Sequence, residues 1–327
     1  MICRVCGSAN VTRLGKVEYY RGFSHEIYDC RDCHSRFTHH VEVAEALHAN
    51  ANSCYGLQRE IAQKLKKFFD EKNLKGLESE LITNSKYKFI IDAIALYPKD
   101  PRILEVGCSR GYLTSYFILA GRDITGGDIS KSAIESANAD FGNHFFSIDA
   151  PAIALRAPYD VIYHIGTIGC VADPVGLTRS LLRMLKPGGK LLFNAPNTEG
   201  CWLPGQLWID FAPPPDVVTL YTPGFWTWAF SSDAFVREEV ENCQPEDSLL
   251  IGLRRLMRRW KPPKQGSIEV SLMRYQQGPE YVRTFFDKAW GFAERNALKT
   301  AKKTGVISYV PLQPTPYGYY VTLTKKG

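Results

Sequence analysis

Between residues 98 and 232 the chain alternates short apolar runs with stretches of helical periodicity. Arg102-Ile-Leu-Glu-Val106, Asp123-Ile-Thr-Gly126, His144-Phe-Phe-Ser-Ile148, Tyr159-Asp-Val-Ile-Tyr163 and Lys190-Leu-Leu-Phe-Asn194 have the length and composition of buried strands. Helix-length segments separate them, and such alternation predicts an α/β fold with a doubly wound, mostly parallel sheet. Ahead of it, Ile61, Leu65, Phe68 and Phe69, then Phe89, Ile90, Ile94 and Leu96, sit at helical spacing and read as two helices ended by Pro98. Earlier still, Val17-Glu-Tyr-Tyr20 and Glu26-Ile-Tyr28 read as short strands. Tyr317-Gly-Tyr-Tyr-Val-Thr-Leu-Thr324 reads as a closing strand.

Composition narrows this picture. With 327 residues, 45% hydrophobic and 23% charged, the chain is ordinary globular material, which excludes disorder and fibrous repeats. No apolar run reaches the roughly 18 residues needed to span a bilayer, and Met1 leads straight into a cysteine pair without a charged-then-apolar leader, so a cytoplasmic protein is expected. Charge is uneven. From residue 245 onward there are 15 Lys and Arg against 6 Asp and Glu, while the preceding residues hold 25 against 28. Within the basic part, Leu249, Leu253, Leu256, Met257 and Trp260 fall on one helical face and Arg254, Arg255, Arg258 and Arg259 largely on the other. This is either a contact surface for an anionic partner or a solvated face. A second helical stretch follows Pro279, and residues 245 to 306 read as an insertion before the last strand.

Cys3-Arg-Val-Cys6 and Cys30-Arg-Asp-Cys33 are two Cys-x-x-Cys units separated by 23 residues. Each makes a tight knuckle presenting two thiolates, and four thiolates complete the tetrahedral shell of a structural zinc ion, which gives a zinc ribbon. Disulfides or a redox motif are the competing reading. His34, His39 and His40 are not needed as ligands. Cys54, Cys108, Cys170, Cys201 and Cys243 are scattered and read as small apolar residues.

The first core strand runs into Glu105-Val-Gly107-Cys-Ser109-Arg-Gly111, followed by a helical pattern. Glycines let the backbone turn sharply beside a ligand, and the helix that follows aims its free N–H groups at the same place. The second strand ends at Gly127-Asp128-Ile129, an acid suited to two ribose hydroxyls, and the third at Ser147-Ile148-Asp149-Ala150. Three successive strand ends of this chemistry point to a nucleoside-containing ligand at the carboxyl edge of the sheet. A nicotinamide dinucleotide shares the fold and the ribose acid.

In sequence order, Leu-Glu-Val-Gly-Cys-Ser-Arg-Gly, Gly-Asp-Ile-Ser, Ile-Asp-Ala, Tyr-Asp-Val-Ile and Leu-Lys-Pro-Gly-Gly-Lys-Leu-Leu-Phe resemble the class I S-adenosylmethionine-dependent methyltransferases. The ribbon, with Ala195-Pro-Asn197, Trp208, Pro213-Pro-Pro215 and Leu220-Tyr-Thr-Pro223, resembles the branch that includes sugar C-methyltransferases. The resemblance implies a Rossmann-like methyltransferase sheet in which Glu105, Gly107, Ser109 and Gly111 line the methionine and ribose end of S-adenosylmethionine. It implies that Asp128 binds the ribose hydroxyls, Ile129 lies against adenine and Asp149 near its amino group, with Ala150 also among the cofactor-binding residues.

Gly169-Cys-Val-Ala-Asp173-Pro174 lacks the Glu-His of many relatives before x-Asp-Pro, and no His follows the paired prolines. For a proton acceptor the remaining candidates are His164, at the end of the fourth strand and with a near-neutral side chain, and more weakly Tyr163, Asp210, Asp216 and Tyr221. The expected organisation is a zinc ribbon over 1–50, a helical connector over 51–97, a cofactor-binding core over 98–244, a basic insertion over 245–306 and a last strand over 307–327. The expected activity is methyl transfer to a polar, anionic small molecule, with nucleotide-linked sugars leading and the aromatic stretch from Trp202 to Trp228 as a pocket wall. RNA modification and cofactor binding without catalysis are the alternatives.

Overall fold

The computed structural model describes residues 1–20, 23–39, 59–97, 100–201, 205–209, 214–240 and 318–327. The Arg254 to Arg259 helix, the stretch after Pro279, Asp210, Trp202 and Pro213 lie outside these residues.

Strands β1 (Val11–Tyr20) and β2 (Phe23–Cys30) form an antiparallel hairpin, and β3 (Arg36–Thr38) pairs with β2. Three helices follow: α1 (Arg59–Asp70), α2 (Leu74–Leu81) and α3 (Ser85–Ala95). The expectation of two helices is corrected, because the chain breaks twice at asparagines. Lys72 turns into the left-handed region (φ 53°), the Asn73 side chain then accepts from the Gly76 amide, and Asn84 accepts from Lys86. Each is an N-cap that satisfies an orphan amide of a new helix. Leu96, counted among the apolar positions, is 82% exposed beyond the last of them.

The core then alternates: β4 (Ile103–Val106), α4 (Tyr112–Leu119), β5 (Ile124–Asp128), α5 (Lys131–Phe141), β6 (Phe145–Ser147), α6 (Pro151–Leu155), β7 (Tyr159–His164), α7 (Pro174–Met184), β8 (Leu185–Pro196), β9 (Thr219–Leu220), α8 (Phe225–Phe230), β10 (Ala234–Val240) and β11 (Gly318–Lys325). The seven-stranded sheet has the order β10-β11-β8-β7-β4-β5-β6. Pairs from β8 to β6 are parallel, and β10 and β11 are antiparallel additions at one edge. This is the doubly wound α/β fold, with the order reversing at β4, where ligands bind at the carboxyl ends. The Leu185 to Gly189 turn is not outside a strand: Leu185 pairs with Tyr159 and Lys190 with Val161, so residues 186–189 bulge from the start of β8.

The Cys-rich hairpin pairs and packs with the core. Its β3 pairs antiparallel with β9, Arg36 opposite Leu220 and Phe37 opposite Thr219, making a four-stranded sheet that includes the core's own loop. Cys3, Val5, Tyr28, Cys30, Cys33 and Phe37 share one buried apolar cluster with Phe193, Tyr221 and Trp226. Among the described residues no helix is long and apolar enough to cross a membrane.

Candidate functional site at the carboxyl edge of the sheet

Parallel pairing sets Val106 opposite Gly127 and Asp128 opposite Ser147, so β4, β5 and β6 end at one level. The loop leaving β4 folds back over β5: the Gly107 and Cys108 amides both donate to Gly127 O, at 2.7 and 3.1 Å. Gly111 has φ +74°, and a Cβ there would strike the Phe145 ring, so both backbone and space demand glycine. Gly107 has the same φ and leaves no room for a Cβ beside the Thr167 hydroxyl. The loop is closed by Asp128, whose carboxylate accepts from the amides of Ser109 (2.7 Å) and Ser130 (2.8 Å). Each carboxylate oxygen keeps a lone pair for a further donor. No side chain caps the start of α4, so its first amides remain directed at the loop.

Glu105 lies beneath this loop, 5% exposed. Its Oε2 accepts from the Thr114 hydroxyl and, at 3.1 Å, from the Tyr163 phenol. Burial pushes the carboxyl up to about 7, against the opposing pull of those two hydrogen bonds, and the nearby Asp128 carboxylate adds to the rise. Ile129 projects from the same edge, 51% exposed. Asp149 is exposed, and its hydrogen bond from Ser147 holds it below the usual carboxylate range. The Ile148 amide donates to Asp128 O, which fixes the two acidic strand ends side by side. Ala150 precedes α6 and donates its amide to Ser147 O.

The four sulfurs of Cys3, Cys6, Cys30 and Cys33 lie within 4.8 Å of one another, with Cys3–Cys33 at 3.7 Å and Cys6–Cys30 at 3.6 Å. A tetrahedron of about 2.3 Å zinc–sulfur bonds has edges of about 3.8 Å. The two knuckles match: the residue after each second cysteine is left-handed, Gly7 at φ 78° and His34 at φ 54°. The hydrogen bond between Cys3 and Cys33 holds the Cys3 thiol below its ordinary value and pushes the Cys33 thiol up, as for two sulfurs sharing one proton.

The model of the methyltransferase domain matches residues 55–234, more than half of the chain. The chain belongs to the methyltransferase-domain family. Curated relatives include ubiquinone biosynthesis O-methyltransferases from Ralstonia nicotianae, 31% identical over 100 residues (28% of this chain, 42% of that protein), and from Parvibaculum lavamentivorans, 33% identical over 114 residues (33% and 45%). The matched part of this chain thus spans less than half the length of these relatives. Among solved structures, the plantazolicin methyltransferase BpumL in complex with SAH is 16% identical, with a TM-score of 0.42, over 88% of this chain and 98% of that one.

In this methyltransferase domain the predicted residues Glu105, Gly107, Ser109, Gly111, Asp128, Ile129, Asp149 and Ala150 gather along one edge. His164, the expected base, ends β7 in a closed setting. It is fully buried, stacked on Phe193 at 4.6 Å, with no hydrogen bond to either ring nitrogen, and burial pulls it down to about 3. Burial of this kind disfavours the charged imidazolium and so weakens the ring as a proton acceptor. Tyr163 serves Glu105, Tyr221 is buried with its hydroxyl on Ile168 O at 2.8 Å, and Asp216 is half-buried. In the described part of the expected aromatic wall, Trp208, Tyr221, Phe225 and Trp226 are packed into the core and Trp228 is exposed.

Sequence reasoning missed Thr114, Ser130, Thr167 and Asn194. Asn194 accepts from the Gly166 amide at 2.8 Å and so ties the end of β7 to β8. Thr167 and Asn194 find partners 61 and 28 residues away, whereas Thr114 bonds Glu105 on the preceding strand and the place of Ser130 as the N-cap of α5 is readable locally.

Proposed function

We infer that this methyltransferase domain binds S-adenosylmethionine at the carboxyl edge of β4, β5 and β6 and transfers its methyl to a polar, anionic small molecule. One observation carries the cofactor assignment: the register that levels the glycine loop, Asp128 and the Asp149 segment on adjacent strands. Residues on that edge fit the group chemically. The lone pairs of Asp128 meet ribose hydroxyls, Ile129 offers an apolar face for adenine, and Glu105, with hydroxyls as its hydrogen-bond partners, suits an amino-acid ammonium.

When bound, the cofactor would supply a sulfonium methyl: an acceptor lone pair would bond to that carbon in line as the carbon–sulfur bond breaks, with the thioether as the leaving group and an acceptor proton to be removed. The chain holds the loop, orients the ribose through Asp128 and excludes water beneath Glu105. Among the described residues none is placed as the base, and an acceptor acidic enough to ionise in water would give its proton to solvent before attack.

The acceptor class rests on charge. In sequence the basic segment lies between Val240, the end of β10, and Gly318, the start of β11, which pairs with Pro196 at the carboxyl end of β8. A nucleotide-linked sugar leads, with phosphates met by Arg254, Arg255, Arg258 or Arg259. A hydroxyl on a quinone-type ring is the second reading, favoured by the names of the curated relatives. We also assign one structural zinc to Cys3, Cys6, Cys30 and Cys33. Calorimetry with S-adenosylhomocysteine tests the cofactor reading, and the absence of binding overturns it. UDP-glucose and single-stranded RNA, titrated at two salt concentrations, test the acceptor: steeply salt-dependent RNA binding overturns the small-molecule reading.

A further inference from the structure

Both cysteine knuckles are tied to the loops that flank the acceptor side of the site. Arg4, between Cys3 and Cys6, spans two backbone carbonyls: Nη1 donates to Thr38 O at 3.0 Å and Nη2 to Val171 O at 2.8 Å. Val171 lies in the loop that leaves β7. The second knuckle is tied from the other side, by the Thr222 hydroxyl, which donates to His34 O at 2.7 Å.

Between these ties the two loops are bonded to each other. Val218 and Thr219 donate their amides to Gly169 O at 2.8 and 3.1 Å, Tyr221 donates its amide to Pro196 O at 2.9 Å and its hydroxyl to Ile168 O, and Thr38 donates to Val218 O at 3.1 Å. Gly169 is pressed so closely that a Cβ would meet Pro196 at 2.8 Å. Among the described residues the glycine loop takes no hydrogen bond from the hairpin. It is closed by Asp128 and Gly127 within the core, and it meets the β7 loop at Thr167, beside Gly107.

The geometry points to Arg4 as a positioning residue. Held by the thiolate cluster, it fixes the loop of residues 168–171 against residues 217–222 and so sets the acceptor side without setting the cofactor side. A guanidinium suits the role because its planar fork reaches two carbonyls at once. The assignment deepens the proposed function and rests on it for the meaning of "acceptor side"; the mechanical link stands on the hydrogen bonds named above.

The test is amide hydrogen exchange on the full, zinc-loaded chain, read at Cys170, Val218, Thr219 and Tyr221, with Gly107, Cys108 and Ile148 as reference amides. All seven are hydrogen-bonded in the structure. Arg4→Ala is expected to speed exchange at the first four at least about tenfold and leave the reference amides within about twofold, a difference expected of local rather than global opening. Zinc content and S-adenosylhomocysteine affinity are expected to stay within about twofold of the parent, and Arg4→Lys to recover part of the protection. Thr222→Ala cuts the second tie without touching a knuckle and carries the test if Arg4→Ala does not accumulate.

No acceleration at the four amides, or equal acceleration at the reference amides, overturns the assignment. Failure of the parent chain to bind S-adenosylhomocysteine sinks the cofactor reading instead and leaves the exchange result to judge the mechanical link.

Discussion

The amide of Ser109 donates to the Asp128 carboxylate at 2.7 Å, so the acid placed to meet a ribose also holds the glycine loop shut. Ser109 is itself in the left-handed region at φ 49°, a conformation disfavoured for a side-chain-bearing residue and stabilised here by that bond. Binding and loop shape are therefore carried by one side chain.

Asp128→Ala should weaken S-adenosylhomocysteine binding by about 2 kcal/mol, the usual cost of losing a charged hydrogen-bond partner. That is about 30-fold in Kd. Calorimetry checks it, and an unchanged affinity removes the ribose assignment.

Gly111→Ala combines a left-handed backbone with an overlap on the Phe145 ring. The backbone term is roughly 1–2 kcal/mol and overpacking adds roughly 1–3 kcal/mol. Urea unfolding should show a loss of a few kcal/mol. Phe145→Leu in the same chain is expected to relieve the overlap and leave the backbone term.

Glu105 makes stability depend on pH in the direction opposite to a salt-bridged acid. Its folded pKa, raised to about 7 by burial, lies above the ordinary carboxyl value of 4.5, so the unfolded chain loses this proton first. The contribution is fully present below about pH 4.5 and is lost as pH rises through 7, an order-of-magnitude change of about 3 kcal/mol. Glu105→Gln, whose amide oxygen can still accept from Thr114 and Tyr163, should equal the parent near pH 4.5 and exceed it in stability at pH 8, while binding the cofactor more weakly. Denaturant midpoints across that range check this; parallel curves contradict it.

Purified protein should hold one zinc per chain, and Cys30→Ser should release it. Because three of the four cysteines are packed in the cluster that contains Tyr221 and Trp226, the loss should lower the unfolding midpoint of the whole chain in one transition. Metal analysis with no zinc in the parent, or a hairpin that melts alone, overturns this.

What could be read from the chain is local in origin. Two Cys-x-x-Cys units present paired thiolates whatever surrounds them, short apolar runs between helical stretches specify strands of a parallel sheet, and a glycine turn followed by Asp128 and Asp149 carries its chemistry in its order. The helix starts at Asn73 and Asn84 are also local signals, but apolar spacing alone groups these residues into two helices and does not register the caps. The rest depends on contacts that no local pattern encodes. Tyr163 reaches Glu105 across 58 residues and Arg4 reaches Val171 across 167. The same aromatic residues in sequence suit a pocket wall or a core, and packing on the cysteine hairpin made Tyr221 and Trp226 core. His164 has the chemistry of a base by residue type alone. Its burial against Phe193, without a hydrogen-bond partner, disfavours the charged form, because desolvation acts through the surroundings of a group and the surroundings exist only once the chain has folded.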